Sequence, residues 1–408
     1  MNISRISKAI AEVRSDPKFR DADDVRNIDV DILLPPKASE TISRMAQTVV
    51  ALTLRCFKGQ VRIYNLSSNS LLRSFLESEA KKMGTPERLD FTPHERGPWC
   101  LAIGYQEAGV ISADASGWTA RINGTFTERI PAAPPAICFA AACAVAKLFN
   151  RSIFLADKHS SEAWDFCLLR LLGGEQTPIK MEHVDLGNIG LLGAGGIGSA
   201  VGYVLSISSW SGKLDVIDFD SFQEPNLETC ILADVTSVNR PLRKAFALAN
   251  SLKAHGIDAV ERHCRVEPGE SILREKWDAF VCAVDNPETR LILDDIDARI
   301  LLNAGLGSSK QDVGWVLWTQ HRKTDRKLSS IYRASSTEAA ASGYVPDEFR
   351  EECSRKSYHG VSLALPFSGL VAGSLLVASL YRNAIGHRTE CSFLQIDLLG
   401  KQQRMNLQ

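Results

Sequence analysis

The amino-acid sequence predicts a doubly wound α/β fold for the second half of the chain, on three observations. Short apolar runs alternate with amphipathic helical stretches from Gly187 onward, an order typical of a parallel sheet covered by helices. A glycine cluster at 193–198 joins the first run to the first helix. Acidic residues follow later runs, at the carboxyl ends of strands, where open α/β sheets bind their ligands.

Each element of this half follows from its local pattern. The apolar run 188–192 predicts a buried strand, and the stretch 197–208 predicts a helix that ends before Gly212. In 240–255, apolar residues recur at helical spacing, and Gly256 supplies a C-terminal stop. The remaining predicted elements are strands at 213–218, 278–284 and 300–305 and a helix at 288–299.

The first half of the chain predicts a smaller α/β domain. Its expected elements are strands at 48–54, 60–64 and 99–103, a hairpin at 118–125 and an alanine-rich helix at 135–149. A polar stretch of mixed charge at 150–182 has the composition of a connection between domains. We therefore predict one domain over 1–155 and a second over 156–408.

Composition excludes several functional classes. In 408 residues, 47 Lys and Arg side chains nearly balance 48 Asp and Glu side chains, so neither nucleic acid nor an anionic membrane is an expected partner. Ten cysteines are scattered without a Cys-x-x-Cys pair, unlike a disulfide scaffold or a zinc ribbon. The N-terminus has no apolar signal segment, and prolines interrupt the long apolar runs. We predict a cytoplasmic protein without a membrane span.

The glycine cluster predicts a phosphate-binding turn, because it follows a strand and opens a helix. Its glycines are Gly193, Gly195, Gly196 and Gly198. Glycine lets the backbone approach phosphate oxygens, and the start of a helix offers unpaired N–H groups. Asp218 ends the next strand, where a carboxylate can accept hydrogen bonds from a ribose. The alternative is a tight turn that needs glycine for packing alone, and the pattern by itself does not separate NAD from ATP.

Further polar residues favour ATP with magnesium over NAD. They are Asp218, Asp220, Asn226, Lys244 and Asp285, each expected near the carboxyl end of a strand. A nicotinamide enzyme needs one acid for its ribose, whereas this set offers several. Carboxylates suit Mg²⁺, and a lysine neutralises charge on a triphosphate. Taken singly, Lys244 is more typical of a solvated helix residue, and Asp285 with Asn286 could equally form a helix cap.

Three segments together resemble the adenylating domain of the ubiquitin-activating superfamily, which includes the ThiF and MoeB sulfur-carrier adenylyltransferases. They read GAGGIGS, DFDSFQEPNL and VDNPETR in that order, and the resemblance runs from about 187 to 307, more loosely to 381. It implies a Rossmann-like fold, ATP and Mg²⁺. The implied site comprises Gly193, Gly195, Gly196 and Gly198 on phosphate, Asp218 on ribose, Asp220 and Asn226 on the nucleotide, Lys244 on phosphate and Asp285 on Mg²⁺.

One position departs from that family pattern. Members usually carry an arginine that touches the phosphates two residues after the Asn-Leu pair, and here Thr229 stands there. Arg240 or Arg243 from the following helix could replace the charge. In the superfamily an arginine can also come from a partner domain or subunit, for which Arg5 is a weak candidate.

The segment around Cys353 resembles the catalytic-cysteine loop of autophagy-type activating enzymes, and the layout is similar to bacterial ubiquitin-like-protein activating enzymes. The loop spans about 321–360 and precedes an apolar helix of small residues. The resemblance implies that Cys353, Asp285 and Lys244 are catalytic, and that the tail of a ubiquitin-like protein is adenylated, captured as a thioester and passed to a conjugating enzyme. It also implies a homodimer or an internal pseudo-dimer, with 1–155 as an inactive copy lacking the glycine turn.

Other functions stay open on the sequence. A relative could adenylate a sulfur carrier or a tRNA-linked carboxylate without a protein thioester. An NAD-dependent oxidoreductase would use the glycine turn and Asp218 but leave Lys244 and Asp285 unexplained. An inactive binding scaffold would account for Thr229. A role in bacterial antiviral defence is a further hypothesis about the pathway.

Overall fold

The protein is described from a computed structural model that covers two sheets and the helices packed on them. The described residues are 6, 25–66, 70–126, 129–153, 162–173, 183–284, 289–290, 292–307, 314–322, 365–387, 393–399 and 403–404.

The first sheet has seven strands, in the order β3-β2-β1-β4-β5-β6-β7. β1 to β5 are parallel to their neighbours, and β6 and β7 are added antiparallel. The strands are β1 Val30–Leu33, β2 Val61–Tyr64, β3 Leu89–Asp90, β4 Cys100–Ile103, β5 Ile111–Ser116, β6 Thr119–Ile122 and β7 Trp164–Cys167.

The second sheet has eight strands, in the order β10-β9-β8-β11-β12-β13-β14-β15. β8 to β12 are parallel, and β13 to β15 are antiparallel. The strands are β8 Val184–Leu192, β9 Trp210–Ile217, β10 Asp258–Arg262, β11 Ala279–Cys282, β12 Ile300–Leu306, β13 Trp315–Arg322, β14 Phe393–Asp397 and β15 Gln403–Arg404.

The two sheets share one topology. Each places its third, second, first, fourth and fifth strands side by side in parallel and continues with antiparallel strands. Such a sheet reverses its winding between the first and fourth strands, which is where open α/β sheets bind ligands. The α/β fold class predicted from the sequence is confirmed, and so is the smaller sheet in the first half. The domain boundary near residue 155 stays a prediction.

Helices from both halves meet in one hydrophobic core. The helices are α1 Glu40–Cys56, α2 Ser70–Lys82, α3 Pro134–Ile153, α4 Leu168–Leu171, α5 Gly196–Ser206, α6 Asn226–Thr229, α7 Val235–Asn239, α8 Lys244–Ala254 and α9 Pro366–Ala384. α3 packs against α1 on one side and against α9 on the other, and α9 also packs against α5. By length and composition α3 could cross a membrane, but 94% of its most apolar window is buried inside the protein.

Three expectations about individual elements are wrong. The run 48–54 is not a strand but lies inside α1, which is buried along most of its length and capped by Ser39, whose side chain accepts from the Ile42 amide. The hairpin consists of β5 and β6 and lies nearer the N-terminus than 118–125. No helix fills 292–299, because only a 3-10 turn forms at Leu293–Asp295 before Ala298 pairs with Trp277 beside β11.

Buried arginines tie the two halves together. Arg55 on α1 is fully buried, and its guanidinium donates to the carbonyls of Ile231 at 2.7 Å and Ala233 at 3.1 Å in the second half. Arg382 on α9 donates to the carbonyl of Leu169 at 3.1 Å, on the short helix α4 that directly follows β7 of the first sheet. Because these buried cations satisfy backbone carbonyls on elements that belong to the other sheet, the contacts fix how the two sheets and their helices pack.

Candidate active site

The glycine turn connects β8 to α5, as the sequence predicts. Gly193 has a φ of +94°, a conformation that residues with a Cβ rarely adopt, and a Cβ there would lie 2.8 Å from the carbonyl oxygen of Ala283. A Cβ at Gly198 would collide with the carbonyl oxygen of Gly193. At these two positions the turn itself requires glycine. This agrees with the alternative stated for the sequence, a tight turn that needs glycine for packing alone.

Gly195 is different, because neither packing nor a positive φ explains it. Its φ is −77°, which any residue can adopt, and a Cβ there would meet no other atom of the described chain within 4 Å. Within the described part of the chain, the backbone at the tip of the turn therefore faces open space. A glycine in that setting keeps the space clear for a ligand that approaches the backbone closely.

Backbone donors surround that open space. Gly195 is the N-cap of α5, and no side chain caps this helix end. The Ser199 amide makes the first intrahelical bond, to the Gly195 carbonyl at 2.8 Å. The amides of Gly196, Ile197 and Gly198 precede it and so have no acceptor within the helix. A helix start of this kind can bind phosphate oxygens.

Asp218 anchors the turn to the end of β9. One carboxylate oxygen accepts from the Ala194 amide and the other from the Asp220 amide, both at 2.7 Å. Burial raises the pKa of Asp218, while Lys244 and the two amide bonds act in the opposite direction. The residue is 9% exposed, so the expected ribose acceptor sits at the crevice but also holds the turn in place.

Lys244 and Asp220 form an ion pair beside Asp218. The lysine Nζ lies 3.0 Å from the Asp220 carboxylate, and its backbone amide donates to the Asp220 carbonyl at 2.8 Å. Asp218, Asp220 and Lys244 therefore lie together, as the sequence predicts. Lys244 begins α8, and its side chain is 12% exposed.

Asn226 and Thr229 belong to the short helix α6. The Asn226 side-chain oxygen accepts from the Gln223 amide at 2.9 Å, so it shapes the turn that leads into this helix. Thr229, at the position of the family arginine, is 2% exposed. Arg243 pairs with Glu261 at 3.0 Å, whereas Arg240 is exposed and makes no side-chain ion pair among the described residues.

One contributor was missed by the sequence reasoning. Arg290 donates to the Val284 carbonyl from Nε at 3.2 Å and from Nη2 at 2.9 Å. It therefore holds the chain immediately before Asp285. The signal was present in the VDNPETR segment, whose last residue is this arginine.

Three residues singled out from the sequence lie outside the described residues. They are Asp285, Cys353 and Arg5. Within the described part of the chain, no group of three or more His, Cys, Asp and Glu side chains is placed to hold a metal ion. Mg²⁺ at an ATP site needs only one or two carboxylates besides the phosphates, so the Asp285 assignment stays a prediction.

Comparison with known proteins identifies the superfamily. The BilD C-terminal domain family matches residues 187–387, and the BilD N-terminal domain family matches residues 30–162. A curated relative, the bacterial E1-like protein BilD of Collimonas sp. (strain OK412), is 22% identical over 209 residues. The chain belongs to the E1-like superfamily. The aligned stretch covers 49% of this E1-like chain and 45% of the relative, so the chain spans less than half the length of the curated protein it matches.

Solved structures similar to this E1-like protein include E. coli MccB and PaaA. A crystal structure of MccB with AMPCPP and MccA has a TM-score of 0.41 and 12% identity, covering 73% of this chain and 94% of MccB. The crystal structure of PaaA has a TM-score of 0.41 and 14% identity, covering 69% of this chain and 86% of PaaA.

Proposed function

We propose that this E1-like protein adenylates the C-terminal carboxylate of a ubiquitin-like protein with MgATP and then captures the product as a thioester on Cys353. The observation that carries the proposal is the open face of Gly195, among the described residues, beside the three amides at the start of α5 that have no acceptor within the helix. Membership of the E1-like superfamily supports ATP over NAD as the nucleotide, and so does the cation Lys244 beside Asp218 and Asp220.

In the first step, the described residues would bind the triphosphate and stabilise its charge. The amides of 196–198 donate to phosphate oxygens, and Lys244 offsets negative charge that develops as the α-phosphate is attacked. A carboxylate oxygen of the tail forms a bond to the α-phosphorus, and the bond to pyrophosphate breaks. Asp285 would hold Mg²⁺, which neutralises the phosphates. The product is an acyl-adenylate, a better acyl donor than the carboxylate.

In the second step, the thiolate of Cys353 attacks the acyl-adenylate carbonyl, a thioester forms, and AMP leaves. The local sequence supports this role, because Arg350, Arg355 and Lys356 favour a thiolate, although Glu351 and Glu352 oppose it. Other cysteines suit the reaction less well. Burial raises the pKa of Cys143, and Cys282 is buried inside β11 with its pKa also raised. Transfer to a conjugating enzyme would complete the pathway.

The test is ATP–pyrophosphate exchange together with adduct formation, using the full chain and a candidate ubiquitin-like protein. We expect Cys353→Ala to keep exchange and to lose an adduct that thiols cleave. Asp285→Ala should lose both activities, and Cys264→Ala, a control at a partly exposed cysteine, should keep both.

The outcomes separate the alternatives. Exchange without any thiol-sensitive adduct would favour a sulfur-carrier or tRNA-modifying adenylyltransferase. Thermal stabilisation by NAD but not by MgATP would favour an oxidoreductase. No exchange with any ubiquitin-like protein would favour an inactive scaffold, for which the buried Thr229 is the motivating observation.

The assembly and setting of the protein belong to the same proposal. The shared topology of the two sheets and their joint core support an internal pseudo-dimer, in which the first half takes the place of a second subunit. A homodimer, a cytoplasmic location and a role in antiviral defence stay predictions.

A further inference from the structure

A cavity lies between the two halves of the chain, where the end of α1 meets α6. Its volume is about 280 Å³. The first half lines it with the cations Arg26, Arg55, Lys58 and Arg88, and the second half lines it with the acids Glu224 and Glu228. No described residue that we assign to the nucleotide is among the lining residues, so the cavity is separate from the phosphate turn.

Two of the guanidinium groups in this wall form no ion pair with a described residue. Arg26 pairs with Glu228 at 2.9 Å. Arg55 donates instead to the carbonyls of the second half, and Arg88 donates to three carbonyls at and just after the end of α1, at 2.7 to 3.0 Å. Carbonyl oxygens satisfy N–H donors but carry no net charge. The wall therefore has two positive charges that no described carboxylate neutralises by direct contact.

The surroundings of these cations oppose their charge. Burial, and to a smaller extent the charge of Arg26, lowers the pKa of Arg88 to about 10. Burial also lowers the pKa of Arg55, whose buried Nε has no hydrogen-bond acceptor in the described part of the chain. Glu79 offsets part of the Arg55 charge at longer range, but it pairs directly with Lys82 at 2.7 Å. Because buried cations without a counter-ion are unfavourable, an anion in the cavity would stabilise this cluster.

We propose that this cavity binds a phosphate-type oxyanion, which Arg55 and Arg88 hold at the junction of the two halves. A guanidinium group suits such an ion because it supplies a planar fork of N–H donors together with a positive charge. Sites for drug-sized ligands have volumes of about 300–1,000 Å³, so a cavity of about 280 Å³ suits a small ion. Inorganic phosphate and pyrophosphate are two sources of this chemistry. The inference does not depend on the proposed function.

Isothermal titration of the full chain with sodium phosphate, and separately with sodium pyrophosphate, tests the site in chloride buffer of fixed ionic strength. The titrations use the Gly195→Ala protein, in which the added methyl group would obstruct the phosphate turn. We expect this protein to bind the ion. Adding Arg88→Gln should weaken binding about ten-fold or more, because a charged donor is lost. The control is Arg73→Gln, an exposed arginine paired with Glu77 on α2, which should leave the affinity unchanged.

Exposed charges in the wall provide a second test that stays valid if Arg88→Gln does not fold. Glu224 and Lys58 are both exposed, so their substitution should leave the fold intact. Glu224→Gln removes a negative charge and should strengthen binding of the ion about two-fold. Lys58→Gln removes a positive charge and should weaken binding by a similar factor.

Each remaining outcome decides the matter. If the Gly195→Ala protein binds neither ion, the proposal is overturned, and binding seen only in the wild type would assign the ion to the phosphate turn. Unchanged affinity in a folded Arg88→Gln protein would also overturn it. So would substitutions at Glu224 and Lys58 that shift the affinity in the same direction or not at all. A preference for phosphate or for pyrophosphate would support the site and show which of the two ions fills it.

Discussion

Asp218 anchors two turns at the crevice. Its two oxygens hold the Ala194 and Asp220 amides, so the carboxylate sets the shape of the phosphate turn and of the turn that carries Phe219. The sequence predicted a ribose acceptor at this position. It could not predict the anchoring bonds, because these depend on how the turn after β8 folds back over the end of β9.

The raised pKa of Asp218 predicts that the free energy of unfolding depends on pH, and that a variant without this carboxylate loses that contribution. Burial raises this pKa above 3.8, so as pH falls the carboxyl is protonated earlier than an exposed one. The folded state then binds the proton more tightly than the unfolded chain. The contribution of Asp218 to the free energy of unfolding is thus largest below the unfolded pKa, and declines as pH rises through the folded pKa.

Nucleotide affinity should rise with pH where the contribution of Asp218 to stability declines, because the ribose hydroxyls need the ionised carboxylate as their acceptor. We expect MgATP affinity to fall as pH falls through the raised pKa of Asp218, beyond any change caused by titration of ATP itself. Titrations of Asp218→Asn across the same pH range provide the comparison. If the wild type and this variant show parallel pH profiles, Asp218 does not act as the ribose acceptor.

We expect Arg240 to supply the positive charge that members of the family usually carry on an arginine at the position of Thr229. Thr229 is 2% exposed, so a family-type arginine would not fit there without exposing buried surroundings. Arg243 is already neutralised by Glu261, whereas Arg240 is exposed and carries no such pair among the described residues. Arg240→Ala should reduce ATP–pyrophosphate exchange about ten-fold, and Arg243→Ala much less. Equal effects of the two substitutions would refute this assignment.

At the scale of elements, α9 supports the phosphate turn from behind. A Cβ at Gly373 would lie 2.8 Å from the backbone carbon of Ala200 on α5, and one at Gly369 would lie 3.1 Å from the Gly196 carbonyl oxygen. The two glycines therefore let α9 pack directly against α5, the helix whose start is the proposed phosphate site. The chain segment that contains Cys353 leads into this same helix.

The two glycines should differ in their sensitivity to substitution. Gly373→Ala meets backbone atoms and must displace α5, so it should lower the free energy of unfolding by about 1–3 kcal/mol and weaken MgATP binding. Gly369→Ala requires a shift of only a few tenths of an ångström and should have a smaller effect on both. Thermal unfolding and MgATP titration of the two variants test this order. The reverse order would mean that α9 does not position α5 through these contacts.

An element could be predicted from the sequence when the local pattern and the tertiary packing favour the same secondary structure. The strands β8, β9, β11 and β12 were found, because buried parallel strands read as continuous apolar runs. The run 48–54 was misread because β-branched residues favour a strand locally. Burial against α3 and the cap at Ser39 make it helical. The same holds for the candidate site. The motif predicted its backbone donors, but the role of Arg290 depends on its contact with the Val284 carbonyl, which only the fold shows.

At the scale of the whole molecule, the two halves share a topology but not a glycine turn. The chain after β1 reads Leu34-Pro35-Pro36, whereas the chain after β8 reads Gly193-Ala194-Gly195. The Ser39 side chain caps the start of α1 by accepting from the Ile42 amide, whereas no side chain caps the start of α5. The second half therefore carries the candidate site, and the first half contributes packing through α1 and α3.

Unfolding should be one cooperative transition, because a single core and the Arg55 contacts join the halves. Arg55→Met leaves the Ile231 and Ala233 carbonyls without this donor and should lower the free energy of unfolding by about 3 kcal/mol. Arg73→Met, an exposed control on α2, should stay within about 0.5 kcal/mol of the wild type. Calorimetry that resolved two independent transitions would contradict a joint core.

The most direct test is to measure MgATP binding by the Gly195→Ala variant with isothermal titration. Thermal unfolding of the same variant is the control for folding. A Cβ at this position touches no described atom, and the φ of −77° is one that any residue adopts, so we expect the fold to be retained. We expect the unfolding temperature to stay unchanged. We expect MgATP affinity to fall about ten-fold or more, because the methyl group would occupy the space for the phosphates. Wild-type affinity in a stably folded Gly195→Ala protein would show that no triphosphate binds at this turn.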